Sequence, residues 1–204
     1  MTTTNGSPTL SPRVRRLKLD YELLTNRFRQ WPLIQISGTA GMPPEVYRFT
    51  YHIRGLQVAS NGDIVERDEH VMEVNLSLGY PRRPPHCRMI TPIFHPNFDA
   101  SSVCIGDFWA ASEGLDDLIV RVGRMIAYQE FNTKSPLNGL AAKWAAQHPE
   151  LLPVDEREVA PPSVEVSQPT ALAAAAASSA SSGEANTNSP SNAGETWNEK
   201  IVIG

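Results

Sequence analysis

The sequence contains few cysteines, few aromatic residues and no long apolar run. Two cysteines among 204 residues exclude a disulfide framework and a zinc site built from four thiolates. No apolar run approaches the roughly 20 residues that a membrane-spanning helix needs, so we expect no contact with a membrane. The first residues, MTTTNGSP, lack the basic and apolar stretches of a secretory signal. The expected location is therefore the cytoplasm.

Aromatic residues make up 7% of the chain, and prolines number 17. This composition indicates that part of the chain does not belong to a packed core. The composition changes near Pro149, and residues 170–194 are almost entirely small or polar, with little to bury. We predict a flexible N-terminus over residues 1–11, one domain over 12–149 and a largely disordered tail over 150–204.

The tail ends in an apolar segment, TWNEKIVIG. Three interpretations of this segment stay open: a short motif that binds a partner, a segment that docks on its own domain, or a remnant.

Positive charge is concentrated at the start of the chain. Residues 1–30 hold six basic and two acidic side chains, whereas residues 150–204 hold two basic and eight acidic ones. The basic segment is either a contact for a partner or for nucleic acid, or a solvated helix face.

The pattern of apolar residues predicts an α+β fold. Ser11 followed by Pro12 is typical of a helix start, and apolar spacing predicts a helix over residues 12–30. Alternation then predicts strands at 34–37, 47–54, 72–78 and 86–94, with a tight turn at Asn61-Gly62. A loop over residues 95–114 separates this antiparallel meander from two helices, one from Leu115 and one opened by Ser135-Pro136 and ending at His148.

The two thiols lie in different contexts. Cys87 lies in a predicted strand and is typical of a small buried hydrophobe. Cys104 lies in the long loop, where a scaffold can present a nucleophile. A Cys-His pair with His95 cannot be argued from spacing alone. His86 and Cys87 are adjacent on a strand and point to opposite faces, so we expect no metal site and no cofactor.

Several motifs together resemble the ubiquitin-conjugating enzyme (UBC) family over residues 12–149. They occur in order along the chain: Ile53-x-Gly55, Tyr80-Pro81-x-x-Pro84-Pro85, His95-Pro96-Asn97, Cys104, Trp109 and Pro136-Leu137-Asn138. The resemblance implies a UBC-like fold with an N-terminal helix, a meander, an active-site loop and two helices.

The resemblance also implies roles for four residues and three partners. Cys104 would carry a ubiquitin-like modifier as a thioester and pass it to an amine, usually a lysine of a protein substrate. Asn97 would support the oxyanion or hold the catalytic loop, and His95 would fix that loop. Ser135 would orient the amine, or would simply cap a helix. Helix 12–30 would dock on the adenylating activating enzyme, and no nucleic acid is then expected as a partner.

Departures from the family pattern indicate a divergent member, with a bacterial ubiquitination-like system as one candidate origin. Arg82 stands where many members have Phe, AASEG replaces a Ser-Pro-Ala loop, Gly106 occupies a Leu-Asp-like position, and the spacing from Asn97 to Cys104 is about one residue shorter. The first two changes affect contacts to RING-type ligases, so a conventional ligase of that kind is doubtful. A catalytically inactive variant that only binds a ubiquitin-like protein is the alternative function, and a Cys-His hydrolase is the third hypothesis.

Overall fold

A computed structural model describes residues 10–105 and 109–162. The predictions for the first nine residues, for Gly106 and for the tail from residue 163 onwards, including TWNEKIVIG, lie outside the described residues. The helices and strands, in chain order, are α1 (Pro12–Phe28), β1 (Ile34–Gly41), β2 (Pro44–Tyr51), β3 (Gly55–Val58), β4 (Ile64–Arg67), β5 (His70–Asn75), β6 (His86–Met89), α2 (Leu115–Ile126) and α3 (Gly139–Gln147), followed by a 3-10 turn at Pro149–Leu151.

The predicted α+β architecture is confirmed. Four strands form an antiparallel sheet in the order β1-β2-β5-β6, and β3 and β4 form a separate hairpin. A long loop joins β6 to α2. Among the described residues, no helix is both long and apolar enough to span a membrane.

Helix α1 begins where the sequence predicts. The Ser11 hydroxyl accepts a hydrogen bond from the backbone N–H of Val14 at 3.3 Å, and Pro12 occupies the first turn. The helix ends at Phe28, two residues before the predicted end, and its buried face carries Leu17 and Leu24. Tyr21 also matches the predicted apolar spacing but is 42% exposed.

The sheet presents one apolar face to the helices. Along β2, the buried residues Tyr47, Phe49 and Tyr51 alternate with less buried neighbours. Phe49 pairs with Met72 on β5, which pairs in turn with Met89 on β6. Helix α2 contributes mainly apolar buried residues to the same core.

The β3–β4 hairpin was not predicted as a pair of strands. The prediction placed only a tight turn at Asn61-Gly62, and Gly62 does adopt a φ of +89°, which favours glycine. Asn61 Oδ1 accepts a hydrogen bond from the Asp63 backbone N–H at 3.1 Å. Both strands have four residues and lack full alternation in burial, so they carry no strong period-2 signal.

The predicted start of the last helix is wrong. Ser135 does not cap it, because α3 begins at Gly139. The Asn138 side chain accepts hydrogen bonds from the backbone N–H groups of Leu140 and Ala141, both at 3.1 Å. Asparagine caps helices as well as serine does, and the Asn138 backbone N–H also donates to the carbonyl of Pro96 at 3.0 Å. These contacts select Asn138 as the cap.

The packed part of the chain continues past Pro149, where the prediction ended the domain. Val159 is 1% exposed in the main core, and its carbonyl accepts a hydrogen bond from Trp31 Nε1 at 2.9 Å. A Cβ on Gly123, in the middle of α2, would lie 2.6 Å from Val159 Cγ1. Glycine costs about 1 kcal/mol in a helix interior, and here it leaves room for Val159 to pack.

Replacement of Val159 tests whether the segment after Pro149 stabilises the domain. Val159→Ala removes two buried methyl groups and leaves a cavity over α2, so we expect the free energy of unfolding to fall by about 2 kcal/mol. Leu151→Ala is the matched control in the same segment, because Leu151 is 53% exposed; it should cost under about 0.5 kcal/mol. Urea denaturation measures both, and equal losses would contradict the packing described for Val159.

Candidate active site

Hydrogen bonds close the loop between Asn97 and Cys104 on itself. The backbone N–H of Cys104 donates to the Asn97 carbonyl at 2.8 Å. An isolated bridge pairs Phe98 with Val103, and the Val103 N–H donates to the carbonyl of Cys87 on β6 at 3.0 Å. Asp99 closes the turn by accepting from the backbone of Ser101 and Ser102. The sheet edge therefore fixes the backbone that carries Cys104.

The two thiols differ in exposure as predicted. Cys87 is 3% exposed, and burial raises the pKa of its thiol to about 12, although the nearby Arg121 charge acts in the opposite direction. Cys104 is partly exposed. Since the thiolate is the nucleophilic form, Cys87 is unreactive at neutral pH and Cys104 is the accessible thiol.

His95 is a buried neutral residue that holds the loop. It is 0% exposed, and its ring packs edge-on against Phe98 and Tyr128, with ring centroids 4.8 and 4.5 Å away. Its Nδ1 accepts a hydrogen bond from the Asn97 backbone N–H at 3.0 Å. Burial lowers the pKa of His95 to about 3, against the opposing effect of the Glu130 backbone. The neutral ring thus carries its proton on Nε2, and its contacts give no support to a Cys-His pair.

The Asn97 side chain is bonded to the segment that follows α2. It is 4% exposed, and its Oδ1 accepts from the Asn132 backbone N–H at 2.8 Å. Its Nδ2 donates to the Asn132 carbonyl at 3.4 Å, which is a long hydrogen bond. Of the two roles that the resemblance implies for Asn97, this geometry matches the one that holds a loop.

A cavity of about 200 Å³ lies beside Cys104. It is smaller than the roughly 300–1,000 Å³ typical of small-molecule sites. Its lining combines the loop, α2 and the segment after α2: Asn97, Cys104, Ile105, Arg121, Met125, Glu130, Phe131 and Asn132. The structure therefore brings Asn97 and Cys104 together as the sequence predicts.

Sequence reasoning missed the contributions of Arg121, Glu130 and Asn132 to this cavity. They lie far from Cys104 in sequence, and only the packing of α2 brings them near it. One signal was available, because Arg121 lies between Leu118 and Met125, which are buried residues of α2 at helical spacing. A charged side chain on an apolar stripe often marks a functional site.

Ser135 does not line this cavity. It is exposed in an irregular stretch before α3 and three residues beyond Asn132. Its hydroxyl is available to solvent there, and the structure assigns it no helix cap.

Three arginines of α1 are engaged within the protein. Arg13 pairs with Glu45 at 2.9 Å, Arg16 with Asp20 at 2.9 Å and Arg27 with Asp116 and Asp117. Arg15 and Lys18 are exposed on the same helix. The basic surface that α1 offers to a partner is therefore narrower than its composition indicates.

A buried polar cluster joins α1 to the Tyr80-Pro81 turn. The Tyr80 hydroxyl donates to Asp20 Oδ2 at 2.6 Å, and the Arg16 guanidinium lies 5.3 Å from the centre of the Tyr80 ring. Desolvation raises the pKa of Asp20, although the bonds from Tyr80 and Arg16 act in the opposite direction. Trp109 Nε1 donates to the Pro81 carbonyl at 2.7 Å. Two residues of the quoted motifs, Tyr80 and Trp109, thus hold the loops that flank the site.

Comparisons with known proteins identify the fold and its family. A family model described as ubiquitin-conjugating enzyme matches residues 41–153, more than half of the chain. Ubiquitin-conjugating enzyme E2 T of Danio rerio is 29% identical, over 38% of this chain and 50% of that protein. Ubiquitin-conjugating enzyme E2 K of Homo sapiens is 29% identical, over 42% and 44%. The chain thus matches about half the length of these curated relatives or less.

Solved structures agree on the fold. Ubc12 of S. cerevisiae superposes with a TM-score of 0.51 at 23% identity, covering 69% of this chain and 75% of that chain. At this level of identity, the likeness concerns the fold.

The burial of His95 predicts a specific dependence of stability on pH. A ring with a pKa near 3 stays neutral in the folded state, whereas the unfolded ring binds a proton below its ordinary value of 6.5. The unfolded state then holds more protons, so stability falls as the pH is lowered through this window. His70, with a pKa lowered to about 4 by burial, contributes in the same direction.

His95→Asn separates the contribution of His95 from that of His70. An asparagine oxygen can replace Nδ1 as the acceptor, but it binds no proton. Between pH 4 and 6.5, we expect the slope of the free energy of unfolding against pH to decrease by the amount that corresponds to about one bound proton. His86→Asn at an exposed position of β6 is the matched control, and the slope of His95→Asn should fall below the slope of this variant. An unchanged slope in His95→Asn would show that His95 is protonated in the folded state.

Proposed function

The chain belongs to the ubiquitin-conjugating enzyme family, and from this premise we propose that it carries a ubiquitin-like modifier as a thioester on Cys104 and transfers it to an amine. The observation that carries the proposal is the position of Cys104. It is the partly exposed thiol of a His95-Pro96-Asn97 loop, beside a cavity, while Cys87 is buried. The acceptor is a lysine of a protein substrate, and the expected compartment is the cytoplasm.

The reaction consists of two acyl transfers. In the first, the Cys104 thiolate attacks the thioester that joins the modifier's C-terminal carbonyl to the activating enzyme, and the activating enzyme's thiolate leaves. In the second, an amine attacks the same carbonyl carbon, a C–N bond forms and the Cys104 thiolate leaves. The amine's proton passes to solvent, and the protein needs no cofactor for either step.

Asn97 and His95 act by holding the nucleophile in place. Asn97 joins the Cys104 backbone to the segment after α2, and His95 fixes the Asn97 backbone. Correct placement of a nucleophile is worth several orders of magnitude in rate. His95 is neutral and buried, so it serves as a positioning residue.

Ser135 is the proposed contact for the incoming amine. Its exposed hydroxyl can accept a hydrogen bond from an amine. It cannot act as an ionised base, so its contribution is limited to orienting the amine and excluding water from it.

The activating enzyme docks on α1 in this proposal. Arg15 and Lys18 are exposed, in contrast to the arginines that pair within the domain. Exposed charges of this kind increase association rates.

A conventional RING-type ligase is not the expected partner. Such ligases contact an apolar turn in this family, whereas Arg82 and Arg83 are both exposed in the corresponding turn here. The charged side chains of this turn offer no apolar surface for the apolar groups of such a ligase to contact.

A non-reducing gel tests the assignment of Cys104. We mix the chain with an activating enzyme, ATP and ubiquitin or the modifier that co-purifies with the chain. An adduct sensitive to added thiol should form with the unsubstituted protein and with Cys87→Ala, and should disappear in Cys104→Ala. Cys104→Ser should give an adduct that resists thiol, because serine forms an oxyester.

Two outcomes would contradict this proposal. An adduct that survives in Cys104→Ala and is lost in Cys87→Ala would mean that the nucleophile is misassigned. If the unsubstituted protein forms no adduct with its co-purifying modifier and activating enzyme, the alternative function, a binding module for a ubiquitin-like protein, replaces it.

Charge reversal on α1 tests the docking of the activating enzyme. Arg15→Glu and Lys18→Glu should slow the formation of the Cys104 adduct roughly tenfold at low salt, with a smaller effect at high salt. Lys143→Glu is the matched control, since Lys143 is exposed on α3. Transfer from the preformed thioester to lysine should be unchanged in all three variants. Equal charging rates in all variants would contradict docking through this face.

A further inference from the structure

One basic side chain lines the cavity beside Cys104 among the residues that the structure describes. Arg121 comes from α2 and lines the same cavity as Cys104. Glu130 is the acidic group among the lining residues, and it is exposed. The cavity is therefore a small space with one guanidinium and one nucleophile on its walls.

Part of the Arg121 guanidinium lacks a hydrogen bond to the described residues, although the side chain as a whole is 31% exposed. Its Nε and Nη2 atoms are buried and make no hydrogen bond within residues 10–105 and 109–162. Nη2 lies 2.9 Å from Glu113 Oε1, which gives an ion pair without hydrogen-bond alignment. Burying N–H groups without hydrogen bonds costs free energy. Such costs are concentrated at functional sites.

The Asn97 side chain is engaged mainly in holding the loop. Its Oδ1 accepts from the Asn132 N–H at 2.8 Å, and one of its two Nδ2 N–H groups makes a long bond to the Asn132 carbonyl at 3.4 Å. A tetrahedral intermediate at a thioester needs a donor for its negatively charged oxygen, and the loop-holding Asn97 is poorly placed to be the only one. The nearby group with spare N–H donors and a permanent positive charge is Arg121.

We propose that Arg121 is a catalytic residue whose guanidinium stabilises the oxyanion formed when an amine attacks the Cys104 thioester. This inference rests on the function proposed above and adds one residue to its mechanism. The amine nitrogen bonds to the carbonyl carbon and the C=O electron pair moves onto oxygen, where the guanidinium carries the new negative charge. The C=O bond then re-forms, the C–S bond breaks, Cys104 leaves as thiolate and the amine's proton passes to solvent.

Glu113 has a defined part in this arrangement. Its carboxylate balances the Arg121 charge before the modifier is bound. Because this ion pair lacks hydrogen-bond geometry, N–H donors of Arg121 stay available for a second, stronger acceptor such as an oxyanion.

The experiment compares substitutions at two arginines of α2. Arg121→Gln removes the guanidinium and its positive charge, and Arg121→Lys keeps the charge without the planar fork. Arg124→Gln is the matched control, because Arg124 lies on the same helix and pairs with Glu158 at 3.1 Å on the surface. Ubiquitin with a C-terminal mercaptoethanesulfonate thioester charges each protein by thiol exchange, so no activating enzyme is needed. The rate of discharge to free lysine is then measured over a range of lysine concentrations.

We expect Arg121→Gln to reach the same level of charging as Arg124→Gln but to discharge roughly 100-fold more slowly at saturating lysine. Arg121→Lys should lie between the two. Alkylation of Cys104 by iodoacetamide at alkaline pH forms no oxyanion, so its rate should be the same in all variants. Unchanged alkylation and Tm show that a slower discharge does not come from a disturbed fold.

Three results would overturn the assignment of Arg121. Equal discharge rates in Arg121→Gln and Arg124→Gln would exclude a catalytic role. A change confined to the KM for lysine would make Arg121 a binding residue for the amine. Parallel losses of discharge, alkylation and Tm would make its role structural. If the unsubstituted protein takes up no acyl group from the ubiquitin thioester, the proposed function fails in that measurement and this inference falls with it.

Discussion

Asn97 uses every polar group that it possesses to hold the site together. Its backbone N–H donates to His95, its carbonyl accepts from Cys104, and its side-chain amide bonds at both ends to Asn132. These four bonds connect the core, the loop that bears the thiol and the segment that follows α2. Asn97 is 4% exposed, and turning its side chain would leave the buried Oδ1 and the Asn132 N–H unpaired, so the observed orientation is favoured. The position of Cys104 therefore depends on Asn97.

A second constraint joins α1 to the turn that contains Tyr80. Asp20 is buried on α1, where Arg16 and the Tyr80 hydroxyl bond to it. A buried carboxylate without such partners would cost several kcal/mol, so the cluster fixes α1 against the turn that contains Tyr80. Trp109 continues the connection through the Pro81 carbonyl. The helix proposed to receive the activating enzyme is thus joined by hydrogen bonds to the loops near the Cys104 thiol.

The sequence predicted features whose signals are local. Ser11 with Pro12 marked the start of α1, and alternation along Tyr47, Phe49 and Tyr51 marked a strand. The β3–β4 hairpin was missed because its strands are short and half exposed. The start of α3 was misplaced because two capping residues, Ser135 and Asn138, lie three residues apart and only the contact of Asn138 with Pro96 decides between them.

In the candidate site, too, the sequence predicted the short-range features and missed the long-range ones. The pairing of Asn97 with Cys104 in one loop is a short-range feature and was predictable. The roles assigned to His95, Asn97, Cys104 and Ser135 stay predictions. Arg121 and Asn132 reach the cavity through the packing of α2 against the sheet, and the sequence signals this only by placing a charged residue, Arg121, on the apolar stripe of α2. The packing of Val159 over Gly123 is likewise a long-range contact, because the composition beyond Pro149 predicts a tail.

In the proposed mechanism, neither His95 nor Ser135 serves as a general base. His95 has a pKa near 3 and cannot take a proton at neutral pH, and Ser135 carries no charge. An acyl transfer from a thioester needs little base catalysis, because a thiolate is a good leaving group and the attacking amine loses its proton late. What remains for the protein is to place the carbonyl carbon and to stabilise the oxygen beside it. In this proposal, the loop fixed by Asn97 serves the first purpose, and the positive charge of Arg121 on α2 serves the second without any change of protonation state.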